Sequence, residues 1–382
     1  MDLTPLFSPI DESIYSGVHS DSSFLKSINF FGKAFPDFKE AHIALIGINE
    51  MRGAGYSSGK DHSLDEIRKK LYNLKKGNYS YKIVDLGNLK LGIDLNESHR
   101  LLSEVCKLLI SNNVLPLILG GSHDLDYAQF SSYEGLKKFI GIVNVDAFID
   151  LESKHNVSLD RKHIHKIFGH TPNYLVSYSH LAYQSYLVDS SHIRTLEKLY
   201  FEAFRIGEIR NNLSKIEPSI RQADMLTFDL CAIRSADAPG GNRSQPFGLS
   251  CEEACQICWF AGLNEKLSSL GIYGYCSDYD DSQKKTASVV ATMVWYFVEG
   301  FYSRKHETDF RSTDITKFIV VVEPESIIFY KSKFTDRWWM EVPVTNKSTY
   351  TRKSIIPCNY SDYQEATNGH IPDRYINALE RG

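Results

Sequence analysis

The stretch 143-VNVDAFIDLE-152 governs how the rest of the chain is read. It continues an apolar run that begins at 139-FIGIVNV-145, the pattern of a strand buried on both faces. The run ends on two carboxylates, Asp146 and Asp150. A strand that closes on D-A-x-x-D is suited to hold a cation at its tip. Between the carboxylates, where a metal ion would want nitrogen or oxygen, stands Phe148.

Similar runs recur outward from this strand. The segments 42-HIALIGIN-49, 81-YKIVDLGN-88, 114-VLPLILGG-121, 223-ADMLTFDLCAI-233 and 271-GIYGYCSD-278 all read as apolar strands. Helical spacing separates them. In 65-DEIRKKLYNL-74, Ile67, Leu71 and Leu74 share one face, and 98-SHRLLSEVCKLLISN-112 is amphipathic. Further helices are expected over 251–270 and 286–302. Apolar strands alternating with helices predict a three-layer α/β/α fold around a mostly parallel sheet, with functional residues at the carboxyl ends of the strands. The segments 318-FIVVVEPESIIFYKSKF-334 and 337-RWWMEVP-343 read instead as antiparallel strands, followed by an irregular basic and aromatic tail without crossover helices. The chain thus divides into an N-terminal extension over 1–40, an α/β domain over 41–305 and a β-rich C-terminal appendage over 306–382. The adjacent tryptophans at 338 and 339 suit either a covered sheet edge or a partner-binding surface.

Composition narrows the function. Of 382 residues, 42% are hydrophobic and 24% charged, enough for a sizeable core. A formal net charge of -4 provides no field to attract nucleic acid or an anionic membrane. The opening MDLTPLFSPIDESIYSG lacks the basic start and apolar run of a signal peptide. The run 289-VVATMVWYFVEGF-301 is too short to span a bilayer, is broken by Glu299, and reads as a buried helix. Seven cysteines are expected as reduced thiols in a cytoplasmic protein. Cys251, Cys255 and Cys258 have the C-x3-C-x2-C spacing of a radical iron–sulfur motif, but i, i+4 and i+7 lie on one helix face and predict core packing. The loop 53-GAGYSSGK-60 lacks the G-K-[ST] ending of a phosphate loop.

Three strand ends carry polar clusters that packing does not require: 119-LGGSHDLDY-127, the 146–150 stretch, and 227-TFDLCAIRSADAPGG-241. One imidazole and three carboxylates converging there would suit a hard divalent ion. In order and separation these stretches resemble the three signatures of the ureohydrolase superfamily, which includes arginase, agmatinase and formimidoylglutamase: G-G-x-H, D-A-H-x-D and S-x-D-x-D-x-x-D-P-x-x-A-P-G. The segments 84-VDLGNL-89 and 248-GLSCEEA-254 support the likeness, which spans roughly 40–305.

The resemblance implies an arginase-like fold, a homo-oligomer and a first metal held by His123, Asp146, Asp150 and Asp229. It also implies a second metal sharing Asp146 and Asp229, whose own two ligands are here replaced by Phe148 and Cys231. Arg234 and Ser235 stand in place of Asp-Pro, and Thr227 in place of Ser. Arg234 would repel a cation unless it turned outward into a salt bridge. One manganese ion at most is therefore expected, with no metal as the alternative. Asp150 and Glu253 are the implied catalytic residues, and Glu253 would orient a small cationic amidine or guanidino substrate; its structural alternative is a first-turn helix carboxylate. His163, His165 and His170 all remain open for the family's proton-shuttling histidine. Two functions follow. One is a formimidoylglutamase- or arginase-like hydrolase of linear amidine C–N bonds with impaired activity. The other is a catalytically silent relative that binds a ligand or a protein partner through its aromatic appendage.

Overall fold

The computed structural model describes residues 2–56, 63–136, 138–154, 156–307, 309–322, 325–344 and 352–381. Residues 57–60 of the glycine-rich loop lie outside that set.

Ten strands form the central sheet. In chain order they are β1 (Phe7–Ser8), β2 (Asn29–Phe30), β3 (Ile43–Gly47), β4 (Ile83–Leu89), β5 (Leu115–Leu119), β6 (Ile140–Val145), β7 (Leu175–Tyr183), β8 (Glu202–Arg205), β9 (Met225–Asp229) and β10 (Ser269–Tyr273). Their spatial order is β1-β4-β3-β5-β10-β9-β6-β7-β8, with β2 also beside β4. Every pairing is parallel except that of β1 with β4. Alternate residues of β3 face opposite cores. Ile43 and Leu45 pack with the helices Ser63–Asn73, Cys251–Leu263 and Lys285–Tyr302, whereas Ala44 and Ile46 pack with Leu95–Ser111. This is the three-layer, mostly parallel architecture expected, and the apolar run at 289–301 is a buried helix within it.

Some elements differ from the sequence reading. The helix from Cys251 stops at Leu263 rather than near 270. There the Asn264 amide donates to the carbonyls of Ile220 and Ala223 at 2.8 and 2.7 Å, turning the chain so that β10 starts at Ser269. β7, with its Ser, Tyr and His residues, lacks an apolar run to announce it. The tail after 343 is also regular. An antiparallel sheet of β11 (Ile315–Val322), β12 (Glu325–Ser332), β13 (Trp338–Val344) and β14 (Arg352–Cys358) is followed by helices Tyr360–Thr367 and Asp373–Arg381. These short amphipathic helices cover the new sheet, which is why their polar, tyrosine-rich sequence looked irregular.

The two sheets are tied by buried ion pairs. Arg221, in helix Glu217–Gln222, pairs with Glu217 at 2.9 Å, donates to the carbonyls of Trp338 and Cys358, and lies 4.5 Å from the Trp339 ring centre. Trp338 stacks on Tyr363 at 4.8 Å, so both tryptophans are buried in structure. Glu202 at the sheet edge accepts from Arg374 at 2.9 Å and from the hydroxyls of Ser179 and Ser219 at 2.7 Å. Burial alone would raise its carboxyl, but Arg374 and the two hydroxyls outweigh burial and hold it below the usual range. Glu202→Gln removes the nearer carboxylate of Arg374, leaving Asp362 at 3.5 Å, and costs about 3 kcal/mol near neutral pH. A depressed carboxyl stabilises above its unfolded value and stops doing so as the pH falls through its folded one. The gap between wild type and variant, read by urea unfolding, therefore narrows as the pH drops below the ordinary carboxylate range.

None of the seven cysteines forms a disulfide. Cys255 and Cys258 pack in the core, as the packing reading expected, whereas Cys251 at the start of the helix is only half-buried. Among the described residues, no helix is long and apolar enough to cross a membrane.

Candidate active site

The three polar clusters meet at the carboxyl ends of β5, β6 and β9. β5 leads into Gly120 and Gly121, both with positive φ (87° and 78°), where a side chain would be strained. A Cβ at Gly120 would also meet the Ile48 carbonyl at 2.8 Å. This sharp turn brings His123 back over the sheet. Asp124 serves the scaffold: His99 lies 2.7 Å from it and Ser122 donates to it at 2.5 Å, while Gly53 packs so closely that any Cβ would collide with its carboxylate.

His123, Asp146 and Asp229 are wholly buried and Asp150 is 4% exposed. His123 Nδ1 lies 2.9 Å from Asp146 Oδ2 and 3.3 Å from Asp229 Oδ2, and its Nε2 lies 2.8 Å from the Thr227 hydroxyl. Thr227 thus fixes the imidazole, a task for which its hydroxyl serves as well as serine. Donor atoms of His123, Asp146, Asp150 and His163 all fall within 4.8 Å of one another, and Asp229 joins through Asp146. The three candidate histidines lie in different settings, and His163 is the one inside the cluster. It is buried, with Nδ1 2.6 Å from Asp126 and Nε2 3.5 Å from Asp150, whereas His165 is exposed and His170 lies against Tyr127 at 3.1 Å.

Three carboxylates this close and this dry require positive charge nearby. Burial and the Asp146 carboxylate push Asp229 up to about 6, against the pull of His123 and Arg243. Burial opposes a charged His163, yet Asp126 and Asp150 overcome it and hold the imidazole protonated well above its ordinary value. Asp150 is held well below the carboxylate range despite burial, chiefly by Arg243 and then by His163. Burial, with Asp146 and Asp229 alongside, pushes the Cys231 thiol far up, so it stays neutral and donates to Asp146 Oδ1 at 2.9 Å.

One divalent ion fits this donor set. Asp229 Oδ2 is a buried atom without a hydrogen-bond partner, and the ligating types of His123 and the three carboxylates are those of a hard cation, while His163, protonated between Asp126 and Asp150, is no ligand. A second ion fits poorly, because Phe148 supplies no donor and Cys231 supplies sulfur, a soft ligand ill matched to manganese. Arg234 turns outward and pairs with Asp237 at 2.9 Å, so it spares the site. Glu253 is the third residue of its helix. Its Oε2 accepts from the Ser250 backbone at 2.7 Å while its own N–H donates to the Ser250 hydroxyl, a capping box.

Arg243, absent from the sequence reading, enters the cluster. Its Nη1 and Nη2 donate to both Asp150 oxygens at 2.9 and 3.1 Å, and its guanidinium carbon lies 3.9 Å from the Phe148 ring centre. A lone arginine in the loop 241-GNRSQPFG-248 carries no signal of its own; the anomaly at Phe148 was the clue. Beside it a cavity of about 320 Å³ opens, lined by Phe148, Asp150, Lys154, Arg161, His192 and Arg243 among others.

The comparisons with known proteins agree with this geometry. A family model described as "Arginase family" matches residues 41–299, well over half of the chain. Formimidoylglutamase of Geobacillus sp. (strain WCH70) is 25% identical over 225 residues, 55% of this chain and 69% of that protein. Formimidoylglutamase of Staphylococcus aureus (strain MSSA476) is 22% identical over 272 residues, 67% of this chain and 86% of the relative. Among solved structures, formiminoglutamase of Trypanosoma cruzi with Mn2+ superposes with a TM-score of 0.65 at 18% identity, over 72% of this chain and 97% of that one. Formimidoylglutamase of Bacillus subtilis gives 0.65 at 16% identity, over 75% and 94%. At these identities the structures attest the fold alone, but the family match rests on the sequence itself. The chain belongs to the arginase family.

Proposed function

We propose that this chain hydrolyses a C–N bond of a linear amidine, as a formimidoylglutamase-like enzyme of reduced activity, at a site that takes one manganese ion at most. The observation that carries the reading is the buried convergence of His123, Asp146, Asp150 and Asp229 at adjacent strand ends within the family-matched region. These four residues would hold the ion, which when bound supplies Lewis acidity and local positive charge. The chain's own groups bind and orient. Thr227 fixes His123, and His163 with Arg243 fixes Asp150. Glu253 has one carboxylate oxygen committed to its helix cap and is not among the residues lining the cavity, so its part in holding an amidinium rests on the family resemblance alone. The mixed charges of the 320 Å³ cavity suit a small substrate bearing both an amidine and carboxylate groups. A cytoplasmic location and a homo-oligomer belong to the same reading; the absence of a disulfide among the seven cysteines supports the first.

A second reading, a catalytically silent binding protein, is favoured by the guanidinium that forks onto Asp150. The tryptophans of the appendage give it less support, since both are buried.

The deciding experiment measures manganese bound by the purified chain, then urea released from arginine or agmatine and formamide released from formiminoglutamate. The enzyme reading expects up to one ion per chain and measurable formamide. No bound ion with no turnover of any of the three overturns it in favour of the binding protein.

A further inference from the structure

The charges around Phe148 are arranged about a residue the chain itself supplies. Asp146 Oδ1 is occupied by the Phe148 backbone N–H at 2.8 Å and the Cys231 thiol at 2.9 Å. Asp229 Oδ1 accepts from the Cys231 N–H at 2.7 Å. Both oxygens of Asp150 accept from Arg243. The carboxylate atoms on this side of the cluster are thereby engaged by donors of the chain. Only the His123 side retains an unpartnered oxygen, Asp229 Oδ2.

We infer that the Arg243 guanidinium is the resident cation beside Phe148: it lies over the ring that stands where the second ion's imidazole would be and forks onto Asp150, the neighbouring carboxylate that only the first ion would use. The residue types belong together. A divalent ion requires nitrogen, oxygen or sulfur ligands, and a benzyl ring provides none. A guanidinium, by contrast, is drawn to the face of an aromatic ring, matches a carboxylate with two parallel hydrogen bonds and does not deprotonate. Phe148 is therefore the partner of Arg243 as much as a lost ligand. Arg243 is 10% exposed along its side chain, so the pair is largely withdrawn from water. Unlike a bound ion, this cation cannot be removed by a chelator and cannot exchange. The inference concerns the cation balance of the site, and it stands whether or not the chain turns over an amidine.

Two measurements on the full chain test it. The first is manganese stoichiometry by equilibrium dialysis. The wild type binds one ion at most, and Phe148→His with Cys231→Asp stays at that number while Arg243 remains. Adding Arg243→Leu to the pair raises the number towards two. Two ions bound by the double variant with Arg243 in place would overturn the inference. So would a folded triple variant that gains none. The second measurement needs no designed metal site. Arg243→Gly loses about 4 °C in Tm, and millimolar methylguanidinium recovers at least half of the loss where tetramethylammonium recovers none. An unchanged Tm, or equal recovery by both cations, would overturn it, whatever becomes of the triple variant.

Discussion

Asp146→Asn lowers the affinity of the site for manganese by about 100-fold or more, and any amidine hydrolysis falls with it. Residues that merely orient a ligand already cost roughly 10- to 100-fold in metal affinity when changed. Asp146 is more central, because its donor atoms lie within 4.8 Å of those of His123, Asp150 and His163 and again of those of Asp229 and Cys231. Asparagine keeps the shape and one acceptor. The acceptor can still serve the Phe148 N–H or the Cys231 thiol, but the amide then presents N–H groups to His123, which now faces a donor in place of an anion. Calorimetric titration with manganese, beside circular dichroism to confirm folding, gives the answer. Affinity within a few-fold of wild type would show that the ion, if bound, does not use this carboxylate.

Arg68→Met is the largest expected loss of stability. The Arg68 guanidinium is buried between helix Ser63–Asn73 and β4, with Nε and Nη2 2.9 and 3.0 Å from the two Asp85 oxygens. Its remaining donors meet the Gly87 carbonyl at 3.0 Å and Asn88 Oδ1 at 2.5 Å. Asp85 also accepts from the Tyr72 hydroxyl and the Gly87 N–H, both at 2.9 Å. Removing the arginine strands a fully buried carboxylate, at a cost of about 3–5 kcal/mol. A Tm fall of about 4–6 °C follows. Arg68→Met with Asp85→Leu should recover much of it, since no buried charge then lacks its counterion. If the double variant is less stable than Arg68→Met alone, Asp85 is held by its hydroxyl and amide partners and the ion pair matters little.

The V-D-L-G-N-L segment that supported the family likeness thus contributes a buried ion pair to the scaffold rather than a group to the site. Glu253 shows the same ambiguity from the other side. Its match to a substrate-orienting glutamate and its place in a capping box are both real, and a linear pattern does not separate them. His163 was one of three open histidines until burial and the contact with Asp126 distinguished it from His165 on the surface.

What the sequence determined by itself was the set of parallel strands and what stands at their ends. Apolar runs of five to seven residues can only be buried on both faces, and the polar residues that close them must then gather at one edge of one sheet. His123, Asp146, Asp150 and Asp229 were legible for that reason, whereas the missing imidazole at Phe148 was legible only through the resemblance to the family's D-A-H-x-D signature. β7, the helix end at Leu263 and the regular tail were not, because packing against distant elements stabilises them and local pattern does not. Arg243 belongs with these. It lies 93 residues from Asp150 along the chain, and only the folded sheet brings its guanidinium to that carboxylate and to the face of Phe148.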